Sequence, residues 1–206
     1  MSEQLLDDLN DYFVDCEIFG KRLAHPLVHV IGIIDVALIN KMYSQKKLQA
    51  EQALEDGRFS LYVHLHEKPY RVNALDEIAH LIDNHSEYWT LLGDVCVGTE
   101  NQWQDKDVLR ELLTIDRPER NAIMNADEYE EYKALPETLT VYRGCHEGKN
   151  EDGFSWTLDK DRAQWFAERL ADGDDVPKVI EKTICKSEVI ALFTRRSEQE
   201  VLLIDN

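Results

Sequence analysis

Positive charge is in short supply in this 206-residue chain: 23 Lys and Arg stand against 41 Asp and Glu, a formal net charge of −18. A deficit of that size opposes non-specific attraction to nucleic acid or anionic lipid and favours solubility. It leaves room for a local basic patch. Residues 1–135 hold 26 of the 41 acidic side chains, so the acidity sits mainly outside the last third. Cysteine is sparse too. Cys16, Cys96, Cys145 and Cys185 have no CxxC or finger spacing, which argues against a disulfide scaffold and for free thiols in a reducing compartment. No apolar run is long enough for a bilayer. The most apolar stretch, Leu27 to Ile39, carries His29 and Asp35 and falls short of the roughly 20 residues a span needs. The start, Met1 to Asp8, is acidic where a secretory leader is basic. A cytoplasmic protein with no membrane partner is the expectation. Internal repeats and low-complexity segments are also lacking.

What is present changes character along the chain. Leu5, Leu9, Tyr12, Phe13 and Cys16 recur at helical spacing and predict a first amphipathic helix ending near Gly20. A second is expected from Pro26 through Ile33, Ile34, Ala37 and Leu38 to Leu54, with Gly57 as its stop. Phe59 to His66 alternates strictly and reads as a strand or an extended link. Helical spacing returns from Ala74 to Leu92 and from Val108 to Leu113, and Asn125 with Glu128 has the spacing of a capping box. From Pro136 the pattern turns to short β-prone runs: Leu139–Tyr142, Phe154–Thr157, Val179–Cys185, Val189–Phe193 and Val201–Ile204. One helix, from about Asp159 to Leu170, interrupts them. Asp172-Gly173-Asp174-Asp175 reads as a flexible loop. The fold class is α+β, with a mainly helical region over 1–135 and a sheet-rich core over 136–206.

Three segments of that core carry chemistry: Val141-Tyr142-Arg143-Gly144, Phe154-Ser155-Trp156-Thr157-Leu158, and Ser197-Glu198-Gln199-Glu200-Val201-Leu202-Leu203. An arginine leaves one apolar run, a serine lies inside a second, and two glutamates head a third. Guanidinium pairs bidentately with phosphate, and carboxylate stabilises an oxocarbenium-like centre. Those pieces suit a site that holds a diphosphate and supports positive charge developing on a ribose carbon, as in NAD. If Glu198 and Glu200 lie on a strand, period two turns both carboxylates to one face and Gln199 away. Two acids so close raise one another's proton affinity.

In this order the segments resemble the arginine–serine–glutamate class of mono-ADP-ribosyltransferases, the clan of cholera-like and binary actin-modifying toxins, over about residues 136–206. The resemblance implies an ADP-ribosyltransferase-like sheet core that uses NAD as substrate and needs no metal. Arg143 would grip the diphosphate and brace the pocket, and Gly144 would offer its main chain to the nicotinamide carboxamide. Ser155, of the motif Ser155-Trp156-Thr157, would hold Glu200. Glu200 would bind the nicotinamide-ribose hydroxyl and stabilise the oxocarbenium-like state, while Glu198 would orient or deprotonate the acceptor. Glutamate at position 198 resembles the arginine-modifying branch, so a protein acceptor is favoured over nucleic acid. Tryptophan at 156 departs from the small residues common there. The 57 residues from Arg143 to Glu200 make a short core, which leaves the helical part to supply a wall of the pocket. An effector, a phage-encoded modifier and a toxin with an antitoxin or inhibitor partner all fit such a chain.

Two other function classes remain: a catalytically silent NAD- or protein-binding module, and an acidic interaction protein such as a nucleic-acid mimic. Other conspicuous residues read as structural. His64 and His66 have metal-ligand spacing on a strand but no third partner. His25 and His29 stand one helical turn apart without the glutamate of a zinc-protease helix. Tyr70-Arg71, Tyr88-Trp89 and Trp165-Phe166-Ala167 read as packing, and Arg195-Arg196 as a solvated loop.

Overall fold

The computed structural model describes residues 4–16, 20–32, 35–99, 104–169, 173–196 and 198–204. The chain is α+β and forms two units, Met1–Ile82 and Asp83–Asn206. Among the described residues no helix is long and apolar enough to cross a membrane.

The first unit departs from the predicted pair of opening helices. Among the described residues only one helical turn, α1 (Asp7–Asn10), precedes an antiparallel meander of β1 (Phe13–Cys16), β2 (Gly20–His25) and β3 (Val28–Ile31). Leu9, Leu23, Leu27 and Val28 bury themselves with Ile39 and Tyr43. Residues distant in sequence meet there, so long-range pairing outweighs the local helical spacing. Pro26 sits in the β2–β3 turn instead of opening a helix. Helix α2 (Val36–Glu55) begins after Asp35, whose carboxylate accepts from the Leu38 amide at 3.1 Å. Ile33 and Ile34 lie outside the described residues. The stop at Gly57 is as expected: Gly57 takes φ +67°, with its amide on Leu54 O and that of Arg58 on Ala53 O.

Residues Phe59 to His66 also differ from expectation, forming helix α3 (Phe59–Leu65). The alternation there does not mark a buried face, since within the helix only Val63 is fully buried. His64 and His66 each donate Nδ1–H one turn back, to Ser60 O and Tyr62 O. His25 and His29 lie on paired strands, and the ring of His25 accepts from the Leu27 amide at 3.0 Å. The expected helix over Ala74–Leu92 breaks into α4 (Arg71–Ile78) and, in the second unit, α5 (His85–Gly98). Tyr70 and Arg71 tie down main-chain carbonyls of Ala24 and His66.

In the second unit α5 is the buried helix, with Tyr88, Trp89, Leu92 and Val95 at 0 % exposure. The Tyr88 hydroxyl donates to Leu112 O at the end of α6 (Lys106–Thr114), and the Trp89 indole to Pro118 O. Helix α7 (Ala126–Ala134) opens with the expected capping box between Asn125 and Glu128. The change of sequence character at Pro136 falls inside this unit, just before β4 (Thr138–His146). Then come β5 (Ser155–Thr157), α8 (Lys160–Glu168), β6 (Pro177–Cys185), β7 (Ala191–Phe193) and β8 (Glu200–Leu202). The five strands build one antiparallel sheet of order β6-β4-β5-β8-β7. The Asp159 carboxylate caps α8 through the amides of Asp161 and Arg162. Leu170 and Asp172 lie outside the described residues, and Gly173 takes φ +55°.

Helix α8 packs on β4, and its approach explains Gly144. A Cβ there would lie 2.0 Å from Ala163 O and 2.7 Å from Ala167 N. The close approach that glycine permits is therefore to the chain's own helix. Gly144→Ala is expected to destabilise the second unit by about 1–3 kcal/mol, the usual cost of overpacking. Chemical denaturation reads this directly, and an unshifted midpoint would refute the packing argument.

Candidate active site

Strands β4, β5 and β8 are neighbours, so the three sequence segments meet on one sheet. Tyr142 pairs with Thr157, and Thr157 with Glu200. Alternation turns Ser155 and Thr157 to one face of β5 and Trp156 to the other. The Ser155 hydroxyl donates to Glu200 Oε1 at 2.6 Å, a diagonal cross-strand pair. Glu200 is buried at 9 % exposure. Burial pushes its pKa above the ordinary carboxylate value. The bond from Ser155 opposes the rise, the charge of Glu198 adds to it, and Arg196 and Arg143 oppose it. Glu200 Oε2 accepts no hydrogen bond among the described residues.

Arg143, 8 % exposed, points its guanidinium into main chain. Nε and Nη2 donate to Asn150 O at 3.1 and 3.0 Å, and Nη1 donates to Ser155 O. Gly153 makes room, since a Cβ there would stand 1.9 Å from Nη2. Arg143 thus braces the β4–β5 connection against the strand that carries Ser155.

The two glutamates are not related by strand alternation. Strand β8 starts at Glu200, and Gln199 adopts φ +44°, which moves Glu198 out of the pleat. Thr157 Oγ1 donates to Glu198 O at 2.7 Å and accepts from the Asp159 amide, so one hydroxyl fixes both the glutamate segment and the start of α8. Three non-glycine residues among those described have left-handed φ, and two of them, Asn150 and Gln199, frame this site. Backbone strain of this kind gathers at functional sites. Glu198 Oε1 accepts from Arg162 Nη2 at 2.9 Å, with Arg196 Nη2 4.0 Å away. Ser197 lies outside the described residues.

These groups surround a cavity of about 230 Å³. Arg143, Gly144, Ser155, Trp156, Thr157, Glu198 and Glu200 all border it. Trp156 is 4 % exposed, and its indole N–H has no partner among the described residues. The cavity is smaller than the roughly 300–1,000 Å³ of pockets that enclose a drug-sized ligand whole. A ligand of dinucleotide size therefore has one end inside and the rest over the rim.

Sequence reasoning missed much of the wall. Cys96 and Thr99 enter from α5 and its end, Lys106 from α6, and Phe166 and Arg169 from α8 and its end. The Thr99 hydroxyl is buried without a partner among the described residues. Burial raises the Cys96 thiol pKa, and Glu200 adds to the rise. Lys106, Arg143, Arg169 and Arg196 bring four cationic side chains to the lining, against Glu198 and Glu200. Asp152, paired with Lys106, reduces this local positive surplus to one charge, which still favours an anionic ligand in an otherwise acidic protein.

Arg195 and Arg196 lie in an exposed turn, as expected, but their side chains are tied down. Arg195 donates to both oxygens of Glu128, at 3.0 and 2.8 Å, and to Asp94 at 2.7 Å. The Glu128 side chain is 1 % exposed. Burial pushes its pKa up, but Arg195 and the amides of Asn125, Arg195 and Thr194 outweigh that and hold it below the ordinary value. Arg196 donates to Val97 O at 2.6 Å. The segment leading to Glu198 is thereby pinned to α7 and α5. Nor does the packing expectation hold for Trp165, which is 45 % exposed; Ala167 alone of that trio is fully buried. Among the described residues no three potential metal ligands cluster.

No protein-family model, curated protein or solved structure matches the chain.

A raised Glu200 pKa has a thermodynamic signature. A carboxyl whose folded pKa exceeds its unfolded value contributes stability below the unfolded pKa and loses it as pH rises through the folded one. Glu200→Gln is therefore expected to be more stable than the wild type at neutral pH, since each tenfold change in proton affinity is worth about 1.4 kcal/mol. That advantage should shrink as the pH falls through the raised Glu200 pKa toward the ordinary carboxylate value and be gone below it. Melting curves from about pH 4 to 8, spanning that range, would reveal it. A Gln variant less stable at neutral pH would contradict the assigned burial.

Proposed function

We propose that the protein is an NAD-dependent mono-ADP-ribosyltransferase built on an ADP-ribosyltransferase-like core of β4 to β8. The observation that carries the reading is the buried Glu200 held by Ser155, on the strand next to β5, with Arg143 bracing β5 from the other side. A fixed carboxylate stabilises developing positive charge better than a mobile one, because it needs no reorganisation as the reaction proceeds.

NAD enters with its nicotinamide-ribose end in the cavity and its diphosphate toward the cationic lining. The free oxygen of Glu200 accepts from a ribose hydroxyl and supports the oxocarbenium-like carbon. The bond from ribose C1′ to the nicotinamide nitrogen breaks, and its electron pair leaves with nicotinamide. An acceptor lone pair then forms the new bond to C1′, and the displaced proton passes to Glu198. With water as acceptor the same site is an NAD glycohydrolase. Three of the Arg143 N–H groups face main chain, so its contribution is chiefly bracing. The phosphate charge falls to Lys106, Arg169 and Arg196. Glu198, a carboxylate at the cavity edge, favours a protein arginine as acceptor.

Incubating the protein with NAD labelled in its adenosine half and a cell lysate tests the reading and sorts label in protein from label in nucleic acid. The expected result is label in protein with nicotinamide released. Glu200→Gln should lower both transfer and NAD hydrolysis by at least roughly 100-fold, as loss of a preorganised charge does. Glu198→Gln should abolish transfer and spare hydrolysis. Full activity in both variants would show the roles to be wrongly assigned.

A further inference from the structure

We infer that Arg162, packed against two adjoining aromatic rings, is the positioning residue that orients Glu198 for a guanidino acceptor; this rests on the transferase reading above. Arg162 lies in the first turn of α8, where its amide is capped by Asp159. Its guanidinium carbon stands 4.5 Å from the ring centre of Trp165 and 5.1 Å from that of Phe166, within cation–π range. The two rings meet edge to face at 5.0 Å, and Arg169 lies 5.1 Å from the Trp165 ring. Arg162 Nε–H is buried with no acceptor among the described residues. Ring faces and one carboxylate hold this cation in place.

The arrangement gives the exposed Trp165 a reason to be there. An indole 45 % exposed adds little to the core, but as a cover over Arg162 it lowers the freedom of the guanidinium. Arg162 in turn takes Glu198 Oε1, and Glu198 Oε2 accepts no hydrogen bond among the described residues. One oxygen is anchored and the other is left for the acceptor. The same division holds at Glu200, anchored through Oε1 by Ser155. Two carboxylates, each tethered by one oxygen, border the same cavity. A planar guanidinium on the acceptor donates to Glu198 Oε2, its nitrogen lone pair bonds to C1′, and the proton on that nitrogen goes to Oε2. Arg162 acts through Glu198 and touches neither NAD nor acceptor. NAD cleavage itself draws on Glu200 and does not need it.

The test compares transfer of ADP-ribose to agmatine, a small guanidino compound, with nicotinamide release in the absence of acceptor. Arg162→Met keeps an apolar stem against the rings and removes the charge. It should lower transfer relative to hydrolysis by roughly 10- to 100-fold, the cost of misplacing a reacting group, while leaving the KM for NAD unchanged. Arg162→Lys should recover part of the loss, and Trp165→Leu should give a smaller loss in the same direction. If Arg162→Met fails to fold, the lysine and Trp165 variants are read by the same ratio. An unchanged ratio, or hydrolysis falling in step with transfer, overturns the inference and leaves the transferase reading standing. A wild type that releases nicotinamide but never modifies agmatine also overturns it. A wild type that releases none overturns both.

Discussion

A carboxylate taken out of water is held by a single hydroxyl, and the rest of the second unit is arranged around that contact. Glu200 loses hydration on burial, which costs more than one neutral hydrogen bond returns. Its raised pKa expresses the imbalance. Direct pairing with a cation does not relieve it among the described residues. Arg143, the nearest candidate by topology, donates to the Asn150 and Ser155 carbonyls. Arg196 is tied to Val97 O. When ionised, Glu200 places an under-compensated negative charge beside the cavity, which is the condition for stabilising a cationic ligand centre.

Holding that charge in register demands stiffness from elements far apart in sequence. Thr157 ties the Glu198 main chain to the start of α8. The pair that buried Glu128 makes with Arg195 fastens the approach to β8 onto α7. Gly144 lets α8 lie against β4, and Gly153 lets Arg143 fold onto its loop. The left-handed residues Asn150 and Gln199 are where the chain accommodates these demands. Each device is structural, and each bears on where a carboxylate oxygen stands.

Much of the sheet was legible because its strands are short, β-prone and separated by turn residues; the runs at 139–142, 154–157, 179–185, 189–193 and 201–204 all fall on or against a strand. The first unit was not. Leu5, Leu9, Tyr12, Phe13 and Cys16 satisfy a helical period by coincidence, while the core of that unit depends on Leu23, Val28, Ile39 and Tyr43, which local spacing does not reveal. The alternation over 59–66 misled in the opposite sense. Within the site, the seven residues read from the three segments all border one cavity, because adjacent strands bring them together. Thr99, Lys106 and Arg162 carry no motif, and only packing discloses them. Arg195 and Arg196 had a signal of a kind: a double arginine before a glutamate pair in an acidic chain leads to carboxylate partners, here Glu128 and Glu198.

On the transferase reading, Ser155 tunes and holds Glu200 for cleavage of NAD. The most direct measurement is the pH dependence of nicotinamide release by the wild type and by Ser155→Ala. Release should rise as Glu200 ionises. Since the Ser155 bond lowers the Glu200 pKa, the rising limb should move to higher pH in the alanine variant. Absence of release, or identical limbs in the two proteins, would contradict that role.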